Sequence, residues 1–391
     1  MTTNAHQERP SRNELGRVLM SEGALSSDWA PSFAAVPRAS FLPDLIWPFD
    51  MKTGQSVAVS RSAEPDLWYG YADSDVPVVT QWDDGQHTGN EPGEVSTSSA
   101  SMPSVVFRML KDLAVEPGNR VLEIGTGTGW NAALLAHRLR VENVVTVELD
   151  SVVAAEARTA LNAFGLPVRV IDRDGLRGYE EGGPYDRIIA TCGFRKLPFA
   201  WVEQSRPGTV IVAPWGTHYG HGDAVARLVV AGGGERATGP FTGGVEFMKA
   251  RAQRLSPVVH SDYVNGSSAD RDKSSTTISE DDFLGDRFSP QRFAVGLRLR
   301  DCVHVVAEKR DGELPVWFYG LTDRSWACVM FRDGDEASVW QSGPRRLWGE
   351  AEAAYRWWAE KGKPGYERFG LTVTAEGQSA WVDDPTDSWP L

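Results

Sequence analysis

The sequence predicts an α/β fold, a Rossmann-like parallel sheet followed by a C-terminal α+β accessory domain. Three observations carry that prediction. Val121 to Trp130 reads VLEIGTGTGW, in which apolar strand residues and one acid run into Gly125, Gly127 and Gly129. Short apolar strands then alternate with segments of helical periodicity. Past residue 257 the pattern changes to closely spaced alternating strands with a single helix.

A strand, a glycine turn and a helix suit a ligand that approaches the backbone closely, because glycine tolerates positive φ and has no Cβ. The spacing is G-x-G-x-G, which matches neither the G-x-G-x-x-G dinucleotide fingerprint nor a phosphate loop ending in Gly-Lys-Ser/Thr. NAD and ATP are disfavoured accordingly. Glu123 offers a carboxylate to a cationic amine, and Glu148 ends the next strand, Val144–Glu148, where an α/β fold places an acceptor for ribose hydroxyls. Two acids and a glycine turn fit S-adenosylmethionine. A glycine turn can also be purely structural, and the surrounding Glu123, Glu148 and Asp174-Gly175 argue against that here.

With 391 residues the chain suits two domains, expected at 1–256 and 257–391. A formal net charge of −13 weighs against a nucleic-acid partner, since such binding rests largely on Lys and Arg neutralising phosphates. The first thirty residues show no secretory pattern, and no stretch reaches the length of apolar residues a membrane span needs, so a cytoplasmic protein with no membrane partner is expected. Cys192, Cys302 and Cys328 are too few and too scattered for a disulfide framework or a zinc site. No metal is expected.

In chain order, residues 11–25 and Phe33 to Pro43 read as short helices. Residues 44–95 read as irregular, with aromatic residues scattered through Asp, Gly and Pro. A long segment of that kind is usually functional or a cover. Pro103 opens a helix with Val106, Met109, Leu110 and Leu113 on one face, for which Ser101 is a reasonable cap. The helix 154–164, the strand 168–171, the strand 185–190, the helix 197–204 and the strand 208–214 follow. Ala226 to Ala231 and Val245 to Arg251 close the sheet. In such a sheet ligands sit at the carboxyl ends of the strands, where Glu123, Glu148 and Asp174 fall.

These residues together resemble the protein-L-isoaspartate O-methyltransferase family over roughly residues 12–252. The features are Ala35-Val-Pro-Arg38 with Phe41-Leu-Pro43, Ser101-x-Pro103, Val121 to Gly129, Val147-Glu148, Asp174-Gly175, Pro184 to Ile189 and Arg206-Pro-Gly208. The resemblance implies a class I methyltransferase fold with S-adenosylmethionine as cofactor. It assigns Ser101 to the carboxylate being methylated, and Glu123, Gly125, Thr126 and Gly127 to the methionine end of the cofactor. Glu148 and Leu149 go to the ribose side, and Asp174 and Gly175 to the adenine. Ser98-Ser99-Ala100 and Thr191 to Arg195 depart from the family pattern in two loops expected to border the substrate.

Residues 257–287, rich in Ser, Asp and Gly, read as a linker or long loop. Strands are expected at 293–299, 303–308, 316–320, 327–331 and 337–340, a helix at 348–361 and a last strand at 371–374. Eight of the fifteen tryptophans fall here, which suits either a packed core or a recognition surface. The region has no counterpart expected in the repair enzyme and is similar to the accessory domain of homologues attached to ribosomally made peptide pathways. The reading preferred from the sequence is therefore a peptide carboxyl O-methyltransferase. It would esterify an aspartate or isoaspartate in a peptide or protein, such as a cyclised precursor peptide, the ester then collapsing to succinimide. A repair methyltransferase for damaged proteins is the alternative, and a non-catalytic cofactor-binding interaction protein a third. His218 with His221, His137, Cys192 and the acidic run Glu280 to Asp282 read as bystanders.

Overall fold

The structure is a computed structural model that describes residues 10–220, 222–264, 271–333 and 336–391. It divides into two compact units. The first comprises 1–192, 198–213 and 227–237, and the second 193–197, 214–226 and 238–391.

The first unit carries the parallel sheet. Val121–Ile124 lies at its centre, flanked by Val144–Glu148 with Arg169–Asp172 beyond it, and on the other side by Tyr185–Ala190 and then Ser205–Trp215. The register places Glu123 opposite Thr146 and Glu148 opposite Asp172. Val121, Leu122 and Ile124 are almost wholly buried, as a strand covered on both faces requires. The helix Trp130–Leu139 follows the glycine turn, and Ala132, Ala133, Leu134 and Leu135 are all 0% exposed. Ser151–Phe164 is capped at both ends. Asp150 accepts from the N–H groups of Val152 and Val153, and Gly165 closes the helix at a φ of +86°.

Residues 44–95 are built where the sequence suggested irregularity. Leu45–Asp50 pairs antiparallel with Gln55–Ser56, Val59–Ser60 and Val78–Trp82, and Val78–Trp82 pairs in turn with Ser96–Ala100. The helix Pro65–Ala72 packs Trp68 against Ile46, Val59, Val78 and Ala100 in a small core of its own. The strand Ser96–Ala100 leads directly into Ser101 and the helix Pro103–Leu113.

The second unit holds a five-stranded antiparallel sheet in the order Asp272–Thr276, Ala337–Ser342, Trp326–Arg332, Glu313–Gly320, Cys302–Val306. Phe283, Phe318, Phe331 and Trp348 interlock beneath it at ring separations of 4.8–6.3 Å, so tryptophan here does serve a core. Phe369–Thr374, Gly377–Val382 and Asp384–Pro390 form an antiparallel ribbon. Three expectations are corrected. Residues 293–299 belong to a helix, Pro290–Arg298, begun by Ser289 and Pro290. The segment 257–287 contains the strand Asp272–Thr276 and the helix Glu280–Leu284, whose first turn is the acidic run. The strand expected at 245–251 is instead Arg236–Val245, ending where the expected one began.

Candidate functional site

The glycine turn takes the conformation its composition requires. Gly125, Gly127 and Gly129 have φ of +90°, +52° and +88°, a region that residues with a Cβ rarely adopt. The Gly125 N–H donates to the Val147 carbonyl at 2.8 Å and the Gly129 N–H to that of Thr126 at 2.9 Å. Thr191 lies against the turn, donating its hydroxyl to the Gly125 carbonyl, and a Cβ on Gly125 would meet its Oγ1 at 2.8 Å.

Glu123 lies beneath the turn and is 0% exposed. Its Oε1 accepts from Asn131 Nδ2 at 2.7 Å and its Oε2 from Thr146 Oγ1 at 2.6 Å, while Thr126 and Thr146 share a hydroxyl contact at 2.7 Å. Burial pushes the Glu123 carboxyl up to about 7, against the two hydrogen bonds that hold it down, with nearby Glu148 adding to the rise. Glu148 is half-buried at the end of its strand. Its Oε2 accepts from the Gly127 N–H at 3.0 Å, and its Oε1 from the N–H groups of Leu149 and Asp150 at 3.0 and 3.1 Å. A carboxylate has about four lone-pair directions, so three N–H donors leave it able to accept from a hydroxyl. Leu149 beside it is 45% exposed.

Asp174 accepts from the Leu176 N–H at 2.9 Å, which fixes the short turn Gly175–Arg177. A Cβ on Gly175 would come within 2.6 Å of Ile124 Cγ2, so this position admits only glycine without repacking. Its carbonyl is held by Trp201 Nε1 at 2.9 Å.

Ser101 is half-buried, and it is not the cap of the helix it precedes. The N-cap position is Met102, without a side-chain bond, and Asp75 instead accepts from the Ser104 N–H at 2.8 Å. The Ser101 hydroxyl is left uncommitted among the described residues. Its backbone is pinned by Arg38, which is 3% exposed and directs its five N–H donors to the carbonyls of Tyr71, Ala72, Ser74, Val76 and Ser101 at 2.7–3.2 Å. The strand before Ser101 also lies on the turn, the Ser99 carbonyl sitting 3.5 Å from where a Gly127 Cβ would be.

All nine predicted site residues thus fall on the carboxyl-end loops of adjacent strands or on the segment leading into the Pro103–Leu113 helix. Sequence reasoning gave no role to Asn131, Thr146 or Asp75 and saw Arg38 only as part of a motif. The signal for Thr146 was a hydroxyl inside the apolar run VVTVE. Among the bystanders, His137 Nδ1 lies 3.0 Å from Ser32 Oγ, Cys192 is half-buried, and burial pushes Cys302 and Cys328 up to about 12. His221 lies outside the described residues, and among those described no three metal-ligating side chains cluster. Nor is any described helix long and apolar enough to cross a membrane.

The protein-L-isoaspartate(D-aspartate) O-methyltransferase family matches residues 71–230. A protein-L-isoaspartate O-methyltransferase of Methanopyrus kandleri is 31% identical over 215 residues, which is 54% of this chain and 79% of that one. The chain belongs to the protein-L-isoaspartate O-methyltransferase family. The protein of that name from Pyrococcus horikoshii is 38% identical over 120 residues, 30% of this chain. The match spans only about half of that relative, 54% of its length. A solved protein-L-isoaspartate O-methyltransferase superposes with a TM-score of 0.53 at 22% identity, covering 95% of this chain and 100% of its own. That coverage extends the likeness in fold past residue 255.

Proposed function

We propose that the chain is an S-adenosylmethionine-dependent carboxyl O-methyltransferase acting on aspartate or isoaspartate carboxylates in a peptide or protein. The observation that carries this reading is the junction of Glu148 with the Gly127 N–H, together with an uncommitted Ser101 hydroxyl at the end of the strand whose Ser99 carbonyl lies on the turn. The donor set fits the cofactor. Three glycines at positive φ present backbone rather than side chain, Glu148 retains acceptor capacity for ribose hydroxyls, Leu149 offers an apolar face, and Asp174 with Gly175 borders the adenine position. The cofactor, when bound, supplies a methyl group already activated by a sulfonium.

A carboxylate is already ionised and nucleophilic at neutral pH, so this chain needs no general base. Its task is to hold the acceptor in line and keep water away. Ser101 donates its hydroxyl to the acceptor carboxylate and Arg38 fixes the Ser101 backbone. Glu123 acts beneath the turn, holding Asn131 and Thr146 in place. The product ester is open to attack by the following backbone nitrogen, which expels methanol and leaves a succinimide.

For the substrate we propose a ribosomally made precursor peptide, such as a cyclised one, rather than damaged proteins at large. The departures at Ser98 to Ala100 and Thr191 to Arg195 support this, and the second unit is proposed as a peptide-recognition module. Mass spectrometry of reactions with S-adenosylmethionine tests both levels. One added methyl on a generic isoaspartyl peptide favours repair, and methylation confined to one precursor favours tailoring. No methyl on any carboxyl-bearing peptide removes the activity altogether. Ser101→Ala should lower turnover strongly while leaving S-adenosylhomocysteine affinity unchanged.

A further inference from the structure

A cavity of about 660 Å3 opens between the antiparallel cover and the helix Ser151–Phe164, within the size range of ligand pockets. One wall is aromatic. Trp47 and Trp82 meet edge to face with centroids 6.3 Å apart, and Trp47 Nε1 holds the hairpin loop through the Asn90 carbonyl at 2.7 Å. The other wall is the apolar side of the helix, where Val152 is 60% exposed and Ala160 keeps the space open. At one end the lining includes Gly127 of the glycine turn and Ser98 of the strand that leads into Ser101. Gly127 and Thr128 of the turn line it while Glu123, Glu148, Asp174 and Ser101 do not, so it adjoins the cofactor site rather than coinciding with it.

We infer that this cavity is a specificity subsite, which seats one large apolar or aromatic side chain of the peptide whose carboxylate is methylated at Ser101. The inference rests on the methyltransferase reading and adds to it what the substrate must carry. Three features name the occupant. The walls are mainly aromatic and apolar, and Glu156 is the one carboxylate in the lining, so an indole or other large apolar group gains contact there while an anionic side chain would lose hydration beside a like charge. The cavity is continuous with the glycine turn, so whatever fills it lies beside the reacting groups. The indole N–H of Trp82 is shielded from solvent and has no acceptor among the described residues, a cost that a peptide carbonyl seated against the hairpin would offset. Distance sets the position of the anchor. An extended chain rises about 3.3 Å per residue, so Ser98 to Ser101 spans about 10 Å, and a peptide running alongside would carry its anchor about three residues from the modified aspartate.

The test uses the full chain and synthetic isoaspartyl and aspartyl peptides in which a single Trp is moved from one to six residues on either side of the acceptor, with Ser as the control. A Trp about three residues away should lower KM about tenfold relative to Ser with little change in kcat. Val152→Asp places a charge in the cavity at a first-turn position where an acid suits the helix, and it should abolish that preference. Val152→Leu should keep it, and S-adenosylhomocysteine affinity should not change in either variant. A KM indifferent to Trp position, or a Trp preference that survives Val152→Asp, overturns the subsite. A non-acceptor peptide with Asn at the target position separates the two levels of the argument. If no peptide is methylated, yet calorimetry shows Trp-dependent binding of this peptide that Val152→Asp removes, the activity fails and the subsite stands. If there is neither methylation nor Trp-dependent binding, both fail.

Discussion

Arg38 donates a hydrogen bond from Nη1 to the backbone carbonyl of Ser101 at 3.2 Å, although the two are 63 residues apart. Its other donors close on four carbonyls between Tyr71 and Val76, so one buried guanidinium joins the cover to the segment that presents the serine. Replacing it by methionine leaves those carbonyls unpaired. At about 1–3 kcal/mol for each buried group left unsatisfied, Arg38→Met should destabilise the chain by more than 3 kcal/mol. Arg38→Lys, with three donors, should recover part of that stability but less of the turnover. Urea unfolding together with a methyl-transfer assay would check both.

Glu148 ties the second strand to the glycine turn through the Gly127 N–H. A hydrogen bond to a charged group contributes roughly 1.5–3 kcal/mol, so Glu148→Ala should weaken S-adenosylhomocysteine binding by about ten- to a hundredfold in calorimetry. Wild-type affinity in that variant would remove the ribose assignment.

Glu123 gives a pH dependence of defined sign. Its carboxyl is raised by burial from an ordinary 4.5 to about 7 in the fold, so between these values the native state holds a proton that the unfolded chain has lost. Stability attributable to this group is therefore fully present below about 4.5, falls as pH rises toward 7, and is flat above. Glu123→Gln keeps the bond from Thr146 and removes the titration. Relative to the variant, wild type should lose stability on the order of 3 kcal/mol across that window. Parallel melting curves for the two proteins would contradict the assignment.

In the second unit Lys249 is paired with Asp223, whose side chain is 0% exposed. Burial raises the Asp223 carboxyl and the lysine opposes that rise. Removing one member strands the other, so Lys249→Met should cost about 3–5 kcal/mol, and pairing it with Asp223→Asn should return much of the loss. Chemical denaturation of the single and double variants measures the coupling.

The fold was most legible where chain chemistry admits few solutions. Gly125, Gly127 and Gly129 announce a strand-to-helix turn because other residues rarely hold those torsions, and Glu148 closes its strand where expected. Legibility failed where local preference and tertiary role disagree. Ser96–Ala100 is almost all serine and threonine, a composition that suits turns, yet it is a paired strand. Leu45–Asp50 contains Pro48, which lowers its promise as a strand, and only pairing on both sides reveals it. Phe293 to Leu299 is short and apolar enough to read either way, and the decisive signal, Ser289-Pro290 ahead of it, lies outside that window. At the site, the acids could be read from spacing, but the partners that hold Glu123 could not. Asn131 and Thr146 come from different elements and meet only once the sheet is assembled.

The Glu148 carboxylate also grips the Leu149 and Asp150 N–H groups, and the Glu123 to Thr146 to Thr126 chain braces the glycine turn from below. The seat is consequently set before any guest arrives. A nucleoside entering it has little loop ordering to induce, so more of its contact energy is expressed as affinity. Discrimination among acceptors is then left to the parts of the molecule that vary, the serine-rich strand and the aromatic hairpin beside it.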